Sequence, residues 1–225
     1  MTDLSIIILN FNTKDFLEKC LKTIIKFSIE PYKLEIIVVD NASNDDSLKM
    51  LAKKFKNIQI VKNKTNLGFA KANNIGEKKS KGRYVLFLNP DTELSKGALK
   101  NVLAFMEKEK TVGAATVKLV DIKGVLDEPC HRGFPTPWNA ITYFSGLCKI
   151  FSNSKLFSGY TMGWLANSSL PHEVDSISGA FFCVRREAGE GVSWWDEDYF
   201  WYGEDIDFSF RLKKAGWKIY FLPDL

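Results

Sequence analysis

The sequence predicts an α/β protein whose central sheet is mostly parallel and flanked by helices. Strand-like apolar runs alternate with helical patterns four times in about the first 90 residues, the order that builds right-handed crossovers between parallel strands. The run at Tyr84 to Leu88 is continuous rather than alternating, as in a strand buried on both faces, and Leu4 to Leu9 and Leu34 to Val39 are further strand-like apolar stretches. Each breaks at its carboxyl end into Asn or Asp, where open α/β sheets place their ligands.

The first run ends in Asn10-Phe11-Asn12. A helix is expected from Lys14 to about Phe27, with Phe16, Leu17, Cys20, Leu21, Ile24 and Ile25 on one side. Pro31 breaks that pattern, and the next strand delivers Asp40-Asn41-Ala42-Ser43-Asn44-Asp45. Asn44 or Asp45 is expected to cap a helix that buries Leu48, Leu51, Ala52 and Phe55 and turns its lysines to water. Ile58 to Val61 is a short strand. Asn66-Leu67-Gly68 then turns into a helix ending near Lys81-Gly82, and Tyr84 to Leu88 breaks through Asn89 and Pro90 into Asp91. Ser95 is expected to cap a helix through Lys110 with Leu99, Val102, Leu103 and Met106 inward, and Val112 to Val120 is extended.

From Asp121 to about Pro171 the periodicity weakens and Gly, Pro, Ser and aromatic residues accumulate, which marks an excursion on the acceptor or membrane side. Val174 to Val184 reads as a strand through Ser178-Gly179-Ala180. The aromatic turn Tyr199-Phe200-Trp201-Tyr202 leads into a helix with Phe208, Leu212 and Ala215 inward and Gly216 as its stop, followed by a last strand at Ile219 to Leu222. No repeat, low-complexity tract or linker divides the chain.

At 45% hydrophobic and 26% charged residues, the composition is that of a globular protein large enough for one substantial core. The net charge of +4 suits phosphorylated ligands or an anionic surface without requiring either, and nothing resembles a nucleic-acid-binding arm. Neither a signal peptide nor the roughly 18 consecutive apolar residues of a membrane span is expected. Cys20, Cys130, Cys148 and Cys183 are scattered without a Cys-x-x-Cys, so neither zinc nor a disulfide framework is indicated, and a reducing cytoplasm is the expected setting.

Four features bear on chemistry. Asp40 at a strand end suits a base or ribose, although the residues from Ser43 onward equally suit a helix cap. Gly68 admits close backbone approach and Asn66 and Asn73 offer amides, or they form an ordinary turn into a helix. Asn89-Pro90-Asp91 is either a turn or the approach to a ligand, with Asp91 suited to Mg2+ or Mn2+ held against phosphates. Glu204, Asp205 and Asp207 favour a helix start through its dipole, and Asp207 with Arg211 has ion-pair spacing. Acids beside so many rings would also be desolvated toward general-base strength. No Gly-x-Gly-x-x-Gly or Walker A motif is present, which weighs against an oxidoreductase and, with the absent basic phosphate loop, against a nucleotidyltransferase.

Five segments together resemble the inverting GT-A glycosyltransferases of family 2, the rhamnosyltransferase-like members in particular. They are Ile-Ile-Leu-Asn-Phe-Asn, Val-Val-Asp-Asn-Ala-Ser-Asn-Asp, Asn-Leu-Gly-Phe-Ala-Lys-Ala-Asn-Asn, Leu-Asn-Pro-Asp-Thr, and Gly-Glu-Asp-Ile-Asp with Arg-Leu-Lys-Lys-Ala-Gly-Trp. The resemblance implies one GT-A domain over 1–225, a Rossmann-like sheet with a nucleotide-sugar-binding half at 1–120 and an acceptor half at 121–225. It implies that Asn10, Asn12, Asp40, Asn41, Asn66, Gly68, Asn73, Asn89 and Asp91 bind the donor, a dTDP- or UDP-sugar. By the same likeness Asp91 holds the metal and Asp205 is the base, with Glu204 the next candidate. The acceptor is expected to be a glycan or lipid-linked glycan, met in the cytoplasm at the inner face of the membrane by peripheral association, with no nucleic-acid partner.

Two departures stand out. Asn89 replaces the first acid of the family's metal motif, which tilts the donor toward dTDP-rhamnose. Relatives often supply a late His as a further ligand, whereas the histidines here are His131 and His172 and the chain stops at Leu225. A truncated chain, or a degenerate nucleotide-sugar-binding module, is therefore the competing expectation.

Overall fold

The computed structural model describes residues 2–27 and 29–223. Its first half follows the predicted alternation: β1 (Leu4–Asn10), α1 (Lys14–Lys26), β2 (Leu34–Asp40), α2 (Ser47–Lys54), β3 (Gln59–Lys62), α3 (Phe69–Glu77), β4 (Tyr84–Leu88), α4 (Ala98–Lys108) and β5 (Val112–Val117). Then come the excursion helices α5 (Pro137–Phe144) and α6 (Leu147–Ile150), β6 (His172–Glu173), β7 (Phe181–Arg185), α7 (Arg186–Gly191), α8 (Glu204–Lys214) and β8 (Lys218–Leu222). All eight strands join one sheet in the order β3-β2-β1-β4-β7-β5-β8-β6. Neighbours among β3, β2, β1 and β4 are parallel, as are β5 and β8, whereas β7 and β6 run antiparallel to their neighbours.

Period-two geometry explains the continuous apolar runs. Leu4, Ile6 and Ile8 of β1 and Tyr84, Leu86 and Leu88 of β4 enter the core beneath α1, α2 and α4. Ile7, Val85 and Phe87 enter the opposite core, beneath α3, α7 and α8. A strand covered on both faces has no polar side, so alternation disappears. Gly76 lets α3 lie close to the sheet, since a Cβ there would sit 2.6 Å from Ile7 Cγ2 and 2.9 Å from Val39 Cγ2.

The helices bury narrower stripes than expected. In α1, Leu17, Cys20, Leu21 and Ile24 are buried while Phe16 and Ile25, at the margins of the stripe, face outward. Met50 replaces Ala52 in the buried face of α2, and Ala215 is exposed at the end of α8. Ser95 does not cap α4 with its side chain; its carbonyl accepts the Ala98 N–H at 3.4 Å, and Gly97 at φ +94° turns the chain into the helix.

Of the strand expected over Val174 to Val184, only Phe181 onward is a strand, β7, while the short β6 lies just before the expected stretch. β6 lies on the edge and β7 lies between β4 and β5, so residues 174–180 must cross from the edge to the centre. That crossing carries Ser178-Gly179-Ala180 over the carboxyl end of β4, where the Asn89 N–H donates to Ala180 O at 3.0 Å. Apolar content alone does not distinguish such a crossing from a strand.

Candidate active site

β1 and β2 bring Asn10 and Asp40 side by side in register. Asn10 Nδ2 donates to Asp40 Oδ2 at 2.8 Å and to Ser43 Oγ at 3.0 Å, and the Ser43 N–H returns to Asp40 Oδ1 at 3.0 Å. Asn12 accepts the Asn44 N–H on its Oδ1 at 2.8 Å, which ties the loop after β1 to the loop after β2. Asn12 at φ +56° and Ala42 at φ +66° are both left-handed, a conformation costing roughly 1 kcal/mol or more outside glycine and one that persists where surrounding bonds hold it. The N-cap of α2 is Asp46 rather than Asn44 or Asp45, and it makes no side-chain cap bond; Asp45 instead accepts the Lys14 and Ser47 N–H groups at 3.0 Å each.

Asn41 is the centre of a second network. Its Nδ2 donates to Asn66 Oδ1 at 2.7 Å, and its Oδ1 accepts from Asn63 Nδ2 at 3.0 Å and Leu67 N at 3.1 Å. Gly68, at φ +79°, makes room for protein: a Cβ there would lie 2.7 Å from Phe200 O, which already accepts the Phe69 N–H at 3.0 Å. The glycine thus locks the aromatic turn before α8 onto the start of α3. Asn73 donates back to Phe69 O at 3.1 Å. Asn74, not singled out in the sequence, grips Trp195 through its backbone, donating to Trp195 O at 2.8 Å and accepting its N–H at 3.2 Å. The Trp195 ring in turn meets Phe69, Phe87, Phe182 and Phe208 at centroid distances of 4.7 to 5.3 Å.

At the end of β4, Asn89-Pro90-Asp91 is indeed a turn, closed by the Thr92 N–H on Asn89 O at 3.2 Å. Asn89 and Asp91 also line a cleft of about 680 Å³ with Asp121, Asp127, Ser178 and Ala180. Asp91 is exposed. Asp127, which no local pattern marked, shares this cleft; burial pushes its carboxyl up, and the Asp91 charge adds to that while Arg132 opposes it.

α8 starts at Glu204 after Gly203 at φ +91°. Asp205 Oδ1 accepts the Ile206 N–H at 2.8 Å, and Oδ2 accepts Arg132 Nη2 at 2.7 Å and the Gly179 N–H at 3.4 Å. Both partners of the Arg132 pair are largely buried, at 11% and 16% side-chain exposure, which makes it a directed contact rather than a solvated surface pair. Glu204 is buried, and its Oε2 has no hydrogen-bond partner among the described residues. Burial pushes its carboxyl above the usual range, with the Asp205 charge adding to the effect. Asp207 pairs with Arg211 at 2.7 Å, as its spacing indicated. Arg132 went unrecognised in the sequence; the available signal was an isolated charge among small and aromatic residues.

The two histidines meet at the root of the excursion, His131 Nε2 lying 2.7 Å from His172 Nε2. His172 Nδ1 faces Leu170 O at 2.9 Å and must carry the proton, because a carbonyl only accepts. His172 Nε2 is then the acceptor and His131 Nε2–H the donor. Burial, aided by His172, pushes the His131 imidazole from its ordinary 6.5 down to about 4. The unfolded chain therefore binds the proton in that window while the native chain does not, so stability falls as pH drops from 6.5 to 4. The expected loss is about 3 kcal/mol. Urea midpoints at the two ends of the window check it, and His131→Gln is expected to flatten this part of the profile.

A mixed, mostly parallel sheet flanked by helices, with polar strand ends and an acidic helix start, is the arrangement of a GT-A glycosyltransferase. The chain belongs to glycosyl transferase family 2, whose model matches residues 5–167. It is 26% identical over 235 residues to the N-acetylglucosaminyl-diphospho-decaprenol L-rhamnosyltransferase of Mycobacterium tuberculosis, covering 99% of this chain and 75% of that one. It is 27% identical over 227 residues to rhamnosyltransferase WbbL of Escherichia coli, covering 97% of this chain and 80% of that one. The crystal structure of GalNAc-T7 with UDP, GalNAc and Mn2+ shares the fold with a TM-score of 0.71 at 18% identity, over 99% of this chain and 42% of that one.

Proposed function

We propose that the chain transfers a sugar, rhamnose in the first instance, from a nucleoside-diphosphate donor to a hydroxyl of a lipid-linked glycan, with inversion, in cell-surface polysaccharide synthesis at the cytoplasmic face of the membrane. The single observation that carries this reading is the Ser178-Gly179-Ala180 segment. Ala180 O accepts the Asn89 N–H at the turn that bears Asp91, and the Gly179 N–H donates to Asp205, so two adjacent residues link the diphosphate side to the base side. The names of the two rhamnosyltransferase relatives and the Asn89 substitution support rhamnose, and the first relative's name supports a polyprenyl-diphosphate-linked acceptor.

In this reading the loops after β1 and β2 hold the nucleoside through Asn10, Asn12, Asp40, Asn41 and Asn66, with Gly68 and Asn73 keeping α3 in place. Asp205 removes the proton of the acceptor hydroxyl as that oxygen bonds to the anomeric carbon. The bond from that carbon to the phosphate oxygen breaks on the opposite face, and nucleoside diphosphate leaves. Arg132 fixes the Asp205 carboxylate in position. Asp91 offers the hard oxygen that Mg2+ or Mn2+ prefers, and Asn89 adds an amide oxygen beside it. A donor diphosphate would supply further oxygens beside Asp91, as is usual for Mg2+ held by one or two carboxylates. A bound divalent ion supplies charge neutralisation for the diphosphate leaving group.

A thermal-shift screen of dTDP, UDP, GDP and CDP, each with and without Mg2+ or Mn2+, tests the donor class. The largest metal-dependent rise in Tm is expected with dTDP; an equal or larger rise with another nucleotide removes the rhamnose donor from the proposal. The Arg132 pair on Asp205 also favours a second reading, a binding module without turnover. That reading gives the same shifts but no release of nucleoside diphosphate in the presence of acceptor.

A further inference from the structure

The excursion presents an apolar face that the fold leaves uncovered. Thr136 and Pro137 start α5, with the Thr136 hydroxyl accepting the Asn139 N–H at 3.2 Å. Trp138, Ile141 and Phe144 recur along one side of that helix, and all three are exposed, Phe144 at 86%. Ile150 at the end of α6 is 73% exposed. Side chains of the following loop join Trp138 of α5 to the end of α6: the Phe157 ring lies 6.1 Å from Trp138 and 5.0 Å from Phe151, which follows Ile150, and Trp138 Nε1 donates to Leu156 O at 2.7 Å. Exposed single hydrophobics are ordinary, but a contiguous set of rings and aliphatic chains marks a contact surface.

Charge identifies what covers it. Between Glu128 and Glu173 the chain has no Asp or Glu, although 27 acids are spread over its 225 residues. The same stretch carries Lys149 and Lys155, both exposed beside the apolar residues. A protein partner of ordinary mixed charge would not require a stretch purged of one sign. An anionic bilayer does, because each acid held near it is repelled and each lysine attracted, while Trp and Phe enter the headgroup boundary. No helix among the described residues is long and apolar enough to cross a membrane, so the contact would lie on the surface.

We infer that α5, α6 and the loop through Leu156 form a docking surface for an anionic lipid bilayer. The face is coupled to the site: Phe134 packs on Phe210 of α8 with ring centroids 5.6 Å apart, and Tyr143 and Tyr160 line a small cavity together with Arg132, the partner of Asp205. Docking therefore sets α8 and its acids beside the membrane surface, where a lipid-linked hydroxyl resides. The inference rests on the proposed function only in that last respect.

Co-sedimentation of the full chain with phosphatidylcholine vesicles, with and without phosphatidylglycerol, tests it. Binding is expected to the mixed vesicles, and F144D/I150D is expected to lower the partition coefficient by about tenfold or more. K149E/K155E is expected to abolish the preference for phosphatidylglycerol. Both pairs are exposed, so the melting temperature should hold; should one pair melt early, the other carries the test. Absence of wild-type binding to either vesicle, or unchanged partition of the variants, overturns the inference. A dimer in sedimentation velocity that F144D/I150D converts to monomer, without vesicle binding, overturns it in favour of a second copy of the chain. Nucleotide thermal shifts are measured without lipid, so failure here and failure of the donor proposal remain separate results.

Discussion

Asp205→Asn is expected to lower kcat for sugar transfer by roughly 10²–10⁴-fold, the range for loss of a general base. Nucleoside-diphosphate affinity should stay within about twofold, because no contact on the diphosphate side is removed. The substitution is nearly isosteric, so the bonds from Arg132 and Gly179 to Oδ2 and from Ile206 to Oδ1 have an amide oxygen available for only one side. Arg132 then loses its charged partner while the helix remains folded. Single-turnover transfer with a donor-loaded enzyme and isothermal titration of nucleoside diphosphate measure the two quantities. Undiminished turnover sinks the assignment of Asp205. If turnover instead survives in Asp205→Asn and collapses in Glu204→Gln, the buried carboxyl with the unpartnered Oε2 is the base.

The second large effect is expected at Asp91. Asp91→Ala should weaken metal-dependent affinity for nucleoside diphosphate by at least roughly tenfold, in line with the sensitivity of metal sites even to outer-sphere changes. Affinity for the nucleoside alone should be unchanged, since Asn10, Asp40 and Asn41 hold their own networks on the other loops. The physical reason is that Asn89 is neutral, leaving Asp91 as the charged oxygen at the end of β4. Calorimetry with and without Mg2+ separates the two cases. A metal-dependent affinity that matches wild type removes Asp91 from the site. Asp127→Asn is the natural companion, because that carboxyl shares the cleft and is pushed up by burial and by Asp91.

Much of this was legible from residue order. β1, β2 and β4 are mainly apolar because both faces are largely covered, and their ends carry Asn10, Asp40 and Asn89 because the chain leaves the core there. Both are local consequences of sequence and of the 2.0 and 3.6 residue periods. Asp207 and Arg211 pair as their spacing on α8 demands. Gly68, expected to be a point of close approach, has the Phe200 backbone against it.

Residue order therefore carries the alternation of strands and helices, the polar strand ends, the acidic start of α8 and the family likeness that follows from them. Tertiary structure alone decided that β7 enters antiparallel between β4 and β5, that the segment before it crosses the end of β4, and that Arg132 meets Asp205 across 73 positions of chain. It likewise decided that Asp127 shares the Asp91 cleft and that His131 meets His172. These pairings join segments with no shared period, so no window of sequence contains both partners. Their positions follow from how the sheet closes over its second half.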